Sequence, residues 1–284
     1  MRPIKIVADS TADLPKELLE KYDIEVIPLS VTLGENTYKD GQEICAQDIY
    51  NFYNEKKELP KTSAVSVLDY TEIFTPWVEK GYDIIHFCIS STMSSCYQNA
   101  CIAAVELGHV WSIDSANLSS GIGLLVLLAA ELAAKGESAE VITRDIAEAK
   151  TRIDASFILN QLEFLHKGGR CSSVAALGAN LLKLKPCIEV VDGSMKVGKK
   201  YRGAYEKCAL EYVRDRLLDN DNVDTKRIFI TWAGVDEKLI KEIHKEVKKC
   251  HKFDEIIINE AGSTITGHCG PGTFGVLYFR KEYK

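Results

Sequence analysis

Short apolar runs alternate with longer amphipathic segments through the first half of the chain. The alternation predicts strands at 4–8, 24–29, 83–89 and 109–113, an edge hairpin at 31–41, and helices at 15–22, 46–57, 94–107, 119–135 and 139–153. Strands separated by helices indicate a parallel sheet that is covered by helices on both faces. Residues 122–134 are apolar on almost every side, which is typical of a buried helix.

The pattern changes near residue 153. Predicted strands at 156–160, 187–191, 195–201, 227–232, 255–259 and 273–279 are now mixed with helices at 173–184, 204–218 and 237–249. Asp192-Gly193 is a hairpin turn signal, and hairpins combined with helical crossovers indicate a mixed sheet. We therefore predict an α/β protein of two domains: a parallel-sheet, Rossmann-like domain at 1–153 and a mixed-sheet α/β domain at 154–284.

Composition narrows the class of protein. The chain of 284 residues has a formal net charge of −6, which disfavours a surface for nucleic acid phosphates. Its nine cysteines form no C-x-x-C pair, as expected of reduced thiols rather than a disulfide framework or a metal site. No signal peptide is visible, and the apolar segment 122–134 is too short to span a bilayer. We expect a soluble, cytoplasmic protein without a metal.

Hydroxyl and carboxylate side chains follow three predicted strands of the first domain, at 9–13, 90–95 and 114–117. In a parallel sheet these loops converge on one edge, where open α/β sheets bind ligands. The loop 90–95 places five hydroxyls in six residues at a helix start, an arrangement that suits an anion. Serines also cap helices without any ligand, so both interpretations stay open.

Three other segments carry candidate chemistry. Residues 62–66 contain a second hydroxyl cluster, which is otherwise a surface loop. His268 lies between glycines in the segment 267–272, and its imidazole can donate to an anion; the alternative is a plain turn before the last strand. Arg170 ends a Gly-Gly-Arg turn after a short apolar turn at 162–165, where it can meet a carboxylate, a phosphate, a partner or only solvent.

The motifs for several enzyme classes are absent from the sequence. It contains no phosphate-binding G-x-x-x-x-G-K-[ST], no G-x-G-x-x-G after the first strand, no G-x-S-x-G and no H-E-x-x-H. One enzyme hypothesis remains: an acyl hydrolase or transferase with Ser94 as nucleophile, His268 as base and Asp114 or Asp9 to orient it. A binder of a small phosphorylated metabolite, using the helix start and Arg170, is a further alternative.

Taken together, these segments resemble the DegV family, fatty-acid-binding proteins that serve as lipid-carrying subunits of bacterial fatty acid kinase. The resemblance runs in order through I-V-A-D-S-T-A-D-L-P at 6–15, T-S-A-V-S at 62–66, S-S-T-M-S-S-C-Y at 90–97, D-S at 114–115 with Gly121 and Gly123, L-E-F-L-H-K-G-G-R at 162–170, K-P at 185–186 and H-C-G-P-G at 268–272. It covers nearly the whole chain.

The resemblance implies a protein without its own catalytic motif or cofactor that holds one long-chain fatty acid in the first domain. Its carboxylate would lie near the domain junction. The implied ligands of that carboxylate are Thr62, Ser94, the backbone N–H of Ser95, and His268 from the second domain. Ser63, Ser90 and Ser91 would give further head-group contacts.

Arg170 would lie where a separate ATP-dependent kinase subunit docks, and membrane contact would be transient. Four positions depart from the family pattern. The family commonly has proline at Val65, a Gly-Thr pair at Ser95-Cys96 and threonine at Cys269.

Overall fold

The structure is a computed structural model that describes residues 2–175 and 184–282. Its strands are β1 (Ile4–Asp9), β2 (Glu25–Ile27), β3 (Ser30–Leu33), β4 (Asn36–Lys39), β5 (Lys61–Ser63), β6 (Asp83–Cys88), β7 (Val110–Asp114), β8 (Ile153–Leu159), β9 (Leu184–Val191), β10 (Ser194–Arg202), β11 (Val223–Ala233), β12 (Glu255–Glu260) and β13 (Thr273–Arg280). Its helices are α1 (Lys16–Lys21), α2 (Ala46–Lys56), α3 (Val67–Glu79), α4 (Cys96–Leu107), α5 (Ser120–Ala134), α6 (Ala139–Ala149), α7 (Glu163–Gly168), α8 (Ser172–Ala175), α9 (Tyr205–Leu217), α10 (Glu237–Cys250) and α11 (Ser263–Cys269).

The described chain divides into two compact units. The first comprises Met1–Cys45, Lys61–Thr151 and Gly262–Thr264, and the second comprises Ala46–Pro60, Arg152–Ala261 and Ile265–Lys284. The first unit thus includes Gly262–Thr264, and the second unit includes Ala46–Pro60. The division at residue 153 predicted from the sequence places each of these two segments in the other domain.

The first unit is built on the parallel sheet β2-β1-β6-β7. The chain goes from β1 to β2 on one side, and later returns to add β6 and β7 on the other side of β1. The order of strands thus reverses between β1 and β6, and such a switch point is where α/β sheets place ligands, beyond the carboxyl ends of the strands. A small antiparallel sheet, β4-β3-β5, belongs to the same unit.

Helices cover the parallel sheet, and its central strands β1 and β6 are therefore buried along almost their whole length. Every residue of β6 is buried, as expected when both faces of a strand are packed. Helix α5 is apolar all round, and its residues from Ser120 through Leu127 are all buried. The predicted parallel sheet with helical cover is therefore confirmed.

The second unit contains the six-stranded sheet β10-β9-β8-β13-β11-β12. Its neighbours are antiparallel except for β11 and β12, so the predicted mixed sheet is also confirmed. Helices α9 and α10 contribute to its core, where buried side chains such as Tyr212, Ile243 and Phe274 pack together. Among the described residues, no helix combines the length and the apolar character needed to span a bilayer.

Several local predictions were wrong. Residues 162–165, predicted as a turn, lead into helix α7. In the segment 267–272, residues 267–269 belong to helix α11, and residues 270–272 lie between this helix and β13. Residues 61–63 form a strand because they pair with β3, a long-range partner that their own sequence does not reveal. Leu184 begins a strand rather than ending the helix predicted over 173–184, and residues 176–183 of that prediction lie outside the described residues.

Candidate functional site

The polar loops at the carboxyl ends of β1, β6 and β7 meet at one edge of the first unit, as the sequence predicted. Ser91 Oγ donates to Asp114 Oδ2 at 2.5 Å, and its backbone N–H donates to Asp114 Oδ1 at 3.2 Å. The N–H of Ser90 donates to the carbonyl of Asn117 at 2.9 Å. Ser119 Oγ donates to Asp13 Oδ2 at 2.5 Å. The parallel register brings these loops together because each strand ends at the same level of the sheet.

Ser90 and Ser91 serve the structure of this edge. Ser90 is fully buried, and its hydroxyl lies 3.2 Å from that of Thr92. Its carbonyl accepts from the N–H groups of Met93 and Ser94, which closes the turn into α4. With Ser91 bonded to Asp114, both hydroxyls that were predicted as further head-group contacts have protein partners.

Ser94 and Ser95 occupy a different position, at the start of α4. Ser95 is the N-cap residue, and it is exposed with no side-chain capping bond. Ser94 is half-buried, and its hydroxyl lies 3.2 Å from Cys96 Sγ and accepts from the Cys96 N–H at 3.3 Å. Helix α4 has twelve residues, so its first turn presents N–H groups and the positive end of the helix dipole beside these hydroxyls.

The segment that follows Thr62 and Ser63 of β5 is attached to the start of α4. Asn99, in the second turn of α4, donates through Nδ2 to the carbonyl of Val65 at 2.7 Å. The Val65 N–H is hydrogen-bonded to the Cys96 thiol. Thr62 is half-buried in β5 and Ser63 is exposed. Sequence reasoning missed Asn99, because an asparagine inside a helix gives no signal of a long-range backbone contact.

Asp9 does not face the loops. Its carboxylate is fully buried and accepts from the Tyr70 hydroxyl at 3.0 Å to each oxygen. His86 Nε2 lies 2.9 Å from Asp9 Oδ1, and both of these partners are also fully buried. Asp114 is likewise occupied, by Ser91 and by the N–H of Ala116. The two carboxylates considered as orienters of a catalytic histidine thus have other partners.

In the second unit, the structure brings together His268 and Arg170. His268, on α11, is half-buried against α7, so close that a Cβ on Gly168 would lie 2.7 Å from its Nδ1. Arg170 is exposed, and its guanidinium donates to the Gly168 carbonyl at 2.8 Å. Burial lowers the pKa of His268 to about 4, and the charge of Arg170 acts in the same direction. At neutral pH the imidazole is therefore uncharged.

Comparison with known proteins places this architecture in one family. A family model described as "Uncharacterised protein, DegV family" matches residues 3–281. The fatty acid-binding protein of Thermotoga maritima is 32% identical over 279 residues, which cover 96% of each chain.

Two solved structures agree along almost the whole chain. A DegV family protein from Thermus thermophilus, described for its fatty acid binding, has a TM-score of 0.90 at 30% identity and covers 99% of this chain and 100% of its own. A stearic acid-binding protein from Eubacterium ventriosum has a TM-score of 0.83 at 28% identity, with 98% of both chains covered. With nearly its full length matched in sequence and in fold, the chain belongs to the DegV family.

Proposed function

We propose that this protein binds one long-chain fatty acid and presents its carboxylate to a separate, ATP-dependent kinase subunit. The head group is held by the hydroxyls of Thr62 and Ser94 and the backbone N–H of Ser95, with His268 as a further donor. The acyl chain lies in the apolar interior of the first unit, beside α5. The protein works in the cytoplasm and meets membranes transiently.

The observation that carries this proposal is the pair of hydroxyl residues at the start of α4, beside the switch point of the parallel sheet. A carboxylate that leaves water needs several donors, because otherwise its pKa rises and it becomes neutral. Hydroxyls and the N–H groups of a helix start supply such donors without a fixed opposing charge. Ser94 and Ser95 offer them where the sheet topology favours ligands.

His268 has the chemistry of a neutral donor to a carboxylate. Because burial holds its pKa near 4, the imidazole is uncharged at neutral pH and can donate one hydrogen bond. A bound carboxylate would favour the charged form and raise the pKa of His268. Gly168 leaves room for the ring, since a larger residue would meet Nδ1.

The ligand class is supported by relatives that are described as binding fatty acids, one of them stearic acid. Burial of the chain contributes roughly 0.8 kcal/mol per CH₂ group, so most of the affinity comes from the tail. The polar donors then favour a carboxylate over other head groups on the same acyl chain.

Two features of the chain support the proposed kinase step. Its sequence contains no G-x-x-x-x-G-K-[ST] loop, which agrees with a partner that holds ATP. An oxygen of the fatty acid carboxylate bonds to the γ-phosphorus of ATP, the bond to the β-phosphate oxygen breaks, and acyl phosphate and ADP result. Arg170, exposed beside His268, contacts the kinase subunit.

Mass spectrometry of an organic extract of the purified protein tests the ligand. The expected result is a stoichiometric fatty acid, with a greatly reduced amount in Ser94→Ala. Ser138→Ala is the matched control, because Ser138 caps α6 in the same unit and lies outside the proposed site. An empty wild-type protein that cannot be loaded with stearic acid, or equal retention by Ser94→Ala and wild type, would contradict the proposal.

Arg170→Ala tests the docking role separately. The variant is expected to keep its fatty acid and to lose most acyl phosphate formation when ATP and the kinase subunit are added. Lys167→Ala, on the neighbouring helix and paired with Glu163, is the control. Loss of the lipid from Arg170→Ala would show that Arg170 belongs to the head-group site instead.

A further inference from the structure

Asn99 is hydrogen-bonded to both segments that carry the proposed carboxylate donors. Its backbone N–H donates at 3.0 Å to the carbonyl of Ser95, the N-cap residue of α4. Its side-chain Nδ2 donates at 2.7 Å to the carbonyl of Val65, a residue that follows Thr62 of β5 at a distance of three positions. One residue in the second turn of α4 therefore joins the two sides of the proposed head-group site.

The strand that carries Thr62 is short and exposed. β5 has three residues and is the edge strand of the sheet β4-β3-β5, in which it pairs with β3. Lys61 and Ser63, on either side of Thr62, are both exposed. Exposed segments with few buried contacts are the parts of a protein that open most readily. The position of the Thr62 hydroxyl is therefore sensitive to the contacts of the residues that follow β5.

Val65 is the first buried residue after β5, with 3% of its surface exposed. A buried carbonyl needs a donor, and the half-buried Asn99 supplies one. Ser66 follows directly and caps α3, where its hydroxyl accepts from the Asp69 N–H at 3.1 Å. The segment is thus fixed to α3 by Ser66, and the Asn99 bond fixes it to the start of α4.

A carboxylate makes the distance between its donors important. Its two oxygens are held in one rigid group, so donors on two segments can bind both oxygens only when the segments are correctly spaced. Groups that act together in a binding site must keep their geometry to within roughly 0.5 Å. A hydrogen bond to a charged group also contributes more than one to a neutral group. Incorrect spacing should therefore weaken the binding of an acid more than the binding of an alcohol.

We propose that Asn99 is a positioning residue for the fatty acid carboxylate. It acts without contact to the ligand, by holding the Thr62 hydroxyl at the distance from Ser94 and Ser95 that allows both segments to bind one carboxylate. This inference rests on the proposed function, because it requires Thr62 and Ser94 to bind the head group. Its consequence is specific: Asn99 governs the preference for an acid over a neutral head group, and it leaves the binding of the acyl chain unchanged.

Asn99→Ala removes the bond to Val65 and introduces a residue that favours helix. We expect its affinity for stearic acid to fall about tenfold, as for a weakened hydrogen bond to a charged group, and its affinity for octadecan-1-ol to change less than about twofold. The measurement is a titration of the delipidated full-length variants with both ligands.

Asn220→Ala is the matched control for Asn99→Ala. Asn220 is also half-buried, and its Nδ2 also donates to a backbone carbonyl, that of Arg216 at 2.9 Å, but it belongs to the second unit. It should leave the ratio of acid to alcohol affinity unchanged. If Asn99→Ala does not fold, Asn99→Leu, which fills a similar volume without a donor, takes its place in every comparison.

A double-mutant cycle with Thr62→Val shows whether Asn99 acts through Thr62. Valine has the shape of threonine without the hydroxyl, so Thr62→Val should itself weaken the binding of stearic acid. The donor that Asn99 positions is then gone, and adding Asn99→Ala should lower the acid affinity less than about twofold further. Independent effects would instead add in free energy, and additive losses would overturn the inference.

Equal losses for acid and alcohol in Asn99→Ala, or an unchanged acid affinity, would also overturn the inference. The failure of the proposed function is distinguishable. In that case the wild-type protein binds no stearic acid, or Thr62→Val and Ser94→Ala bind it as tightly as the wild type. If these two variants lose acid affinity while Asn99→Ala retains it, the carboxylate site stands and the positioning role of Asn99 does not.

Discussion

Two buried carboxylates of the first unit and four carboxylates of the second unit are stabilised by different means. In the first unit, Asp13 accepts from the Ser119 hydroxyl and the Gly262 N–H, and Asp40 accepts from the Ser10 hydroxyl and the N–H groups of two residues at the start of α11. In the second unit, carboxylates pair with arginines: Asp154 and Glu189 with Arg216, Glu246 with Arg214, and Glu255 with Arg227.

The difference shows in the pKa values. Burial raises the pKa of Asp13 from 3.8 to about 8, because its hydroxyl and backbone donors offset only part of the lost hydration and nearby Asp40 adds repulsion. The hydrogen bond from Arg214 lowers the pKa of Glu246. An arginine thus fixes the charge of its partner, whereas neutral donors leave a carboxyl group sensitive to burial and pH. The proposed ligand site uses neutral donors.

Arg216→Met is expected to give the largest effect, because it leaves two carboxylates without their cation. Arg216 bonds Glu189 at 2.7 Å and also bonds Asp154, and its side chain is 21% exposed. Breaking a mostly buried pair by removing one partner destabilises by about 3 kcal/mol. Urea denaturation at pH 7 measures this loss.

Lys199→Met is the control for Arg216→Met. Lys199 also bridges two carboxylates, those of Glu211 and Asp215, but it is 51% exposed. Exposed pairs contribute less than about 1 kcal/mol. Equal losses in the two variants would show that burial does not distinguish these pairs, and the contrast between the units would lose its physical basis.

Asp13→Asn should change how stability depends on pH. The folded-state pKa of Asp13 is raised, so its folded form holds a proton that the unfolded chain has lost between about pH 4 and pH 8. The contribution of Asp13 to stability is therefore greatest below this window and falls as pH rises through it, by at most about 1.4 kcal/mol per pH unit. Asn resembles the protonated carboxyl and should remove the slope.

Denaturation at pH 5, 6.5 and 8 tests this prediction for Asp13. The wild type should lose on the order of 2 kcal/mol across the series, and Asp13→Asn should lose much less. Asp221→Asn, at an exposed carboxylate of the second unit, should follow the wild type. A wild-type stability that rises from pH 5 to pH 8, with the same rise in Asp13→Asn, would show that Asp13 is ionised in the folded protein.

Much of the fold was predictable because strand and helix periods are local properties. The strands ending at Asp9, Cys88 and Asp114 were visible as apolar runs, and the loops after them as hydroxyl clusters. Parallel pairing then required the loops to meet at one edge. The position of Ser94 and Ser95 at the start of α4 was accordingly predictable from the sequence, but no local pattern distinguished their hydroxyls from those of Ser90 and Ser91, which bond within the protein.

What sequence missed depends on long-range contacts. Helix α11 contains β-branched residues and a glycine, which are poor helix formers, and its first N–H groups are capped by Asp40, more than two hundred residues away in sequence. Tyr70 looks like an ordinary core residue of a helix, and its contact with Asp9 depends on how α3 packs against the sheet. The periodicity of a helix predicts which of its faces is buried, but it does not identify the residues that this face contacts.

Glu246→Gln is expected to give the smallest effect, with a pH dependence opposite to that of Asp13. Arg214 Nε donates to Glu246 at 2.6 Å and Lys249 Nζ lies 3.0 Å away, so the folded-state pKa of Glu246 is lowered. Its stabilisation is therefore present above the unfolded-state pKa near 4.5 and is lost as pH falls through the folded-state pKa. Because both cations are largely exposed, we expect a loss of about 1 kcal/mol at pH 7.

At pH 3 the difference between Glu246→Gln and wild type should shrink, because the wild-type glutamate is then partly protonated and resembles glutamine. The difference at pH 7 should also shrink in 1 M NaCl, which screens the exposed cations of this pair. Denaturation under these three conditions distinguishes stabilisation by the charge of Glu246, which Arg214 keeps ionised, from stabilisation by the packing of its side chain. A loss that is the same at pH 3 and pH 7 would mean that the shape of Glu246 matters and its charge does not, and the distinction between the two units would then rest on Arg216 alone.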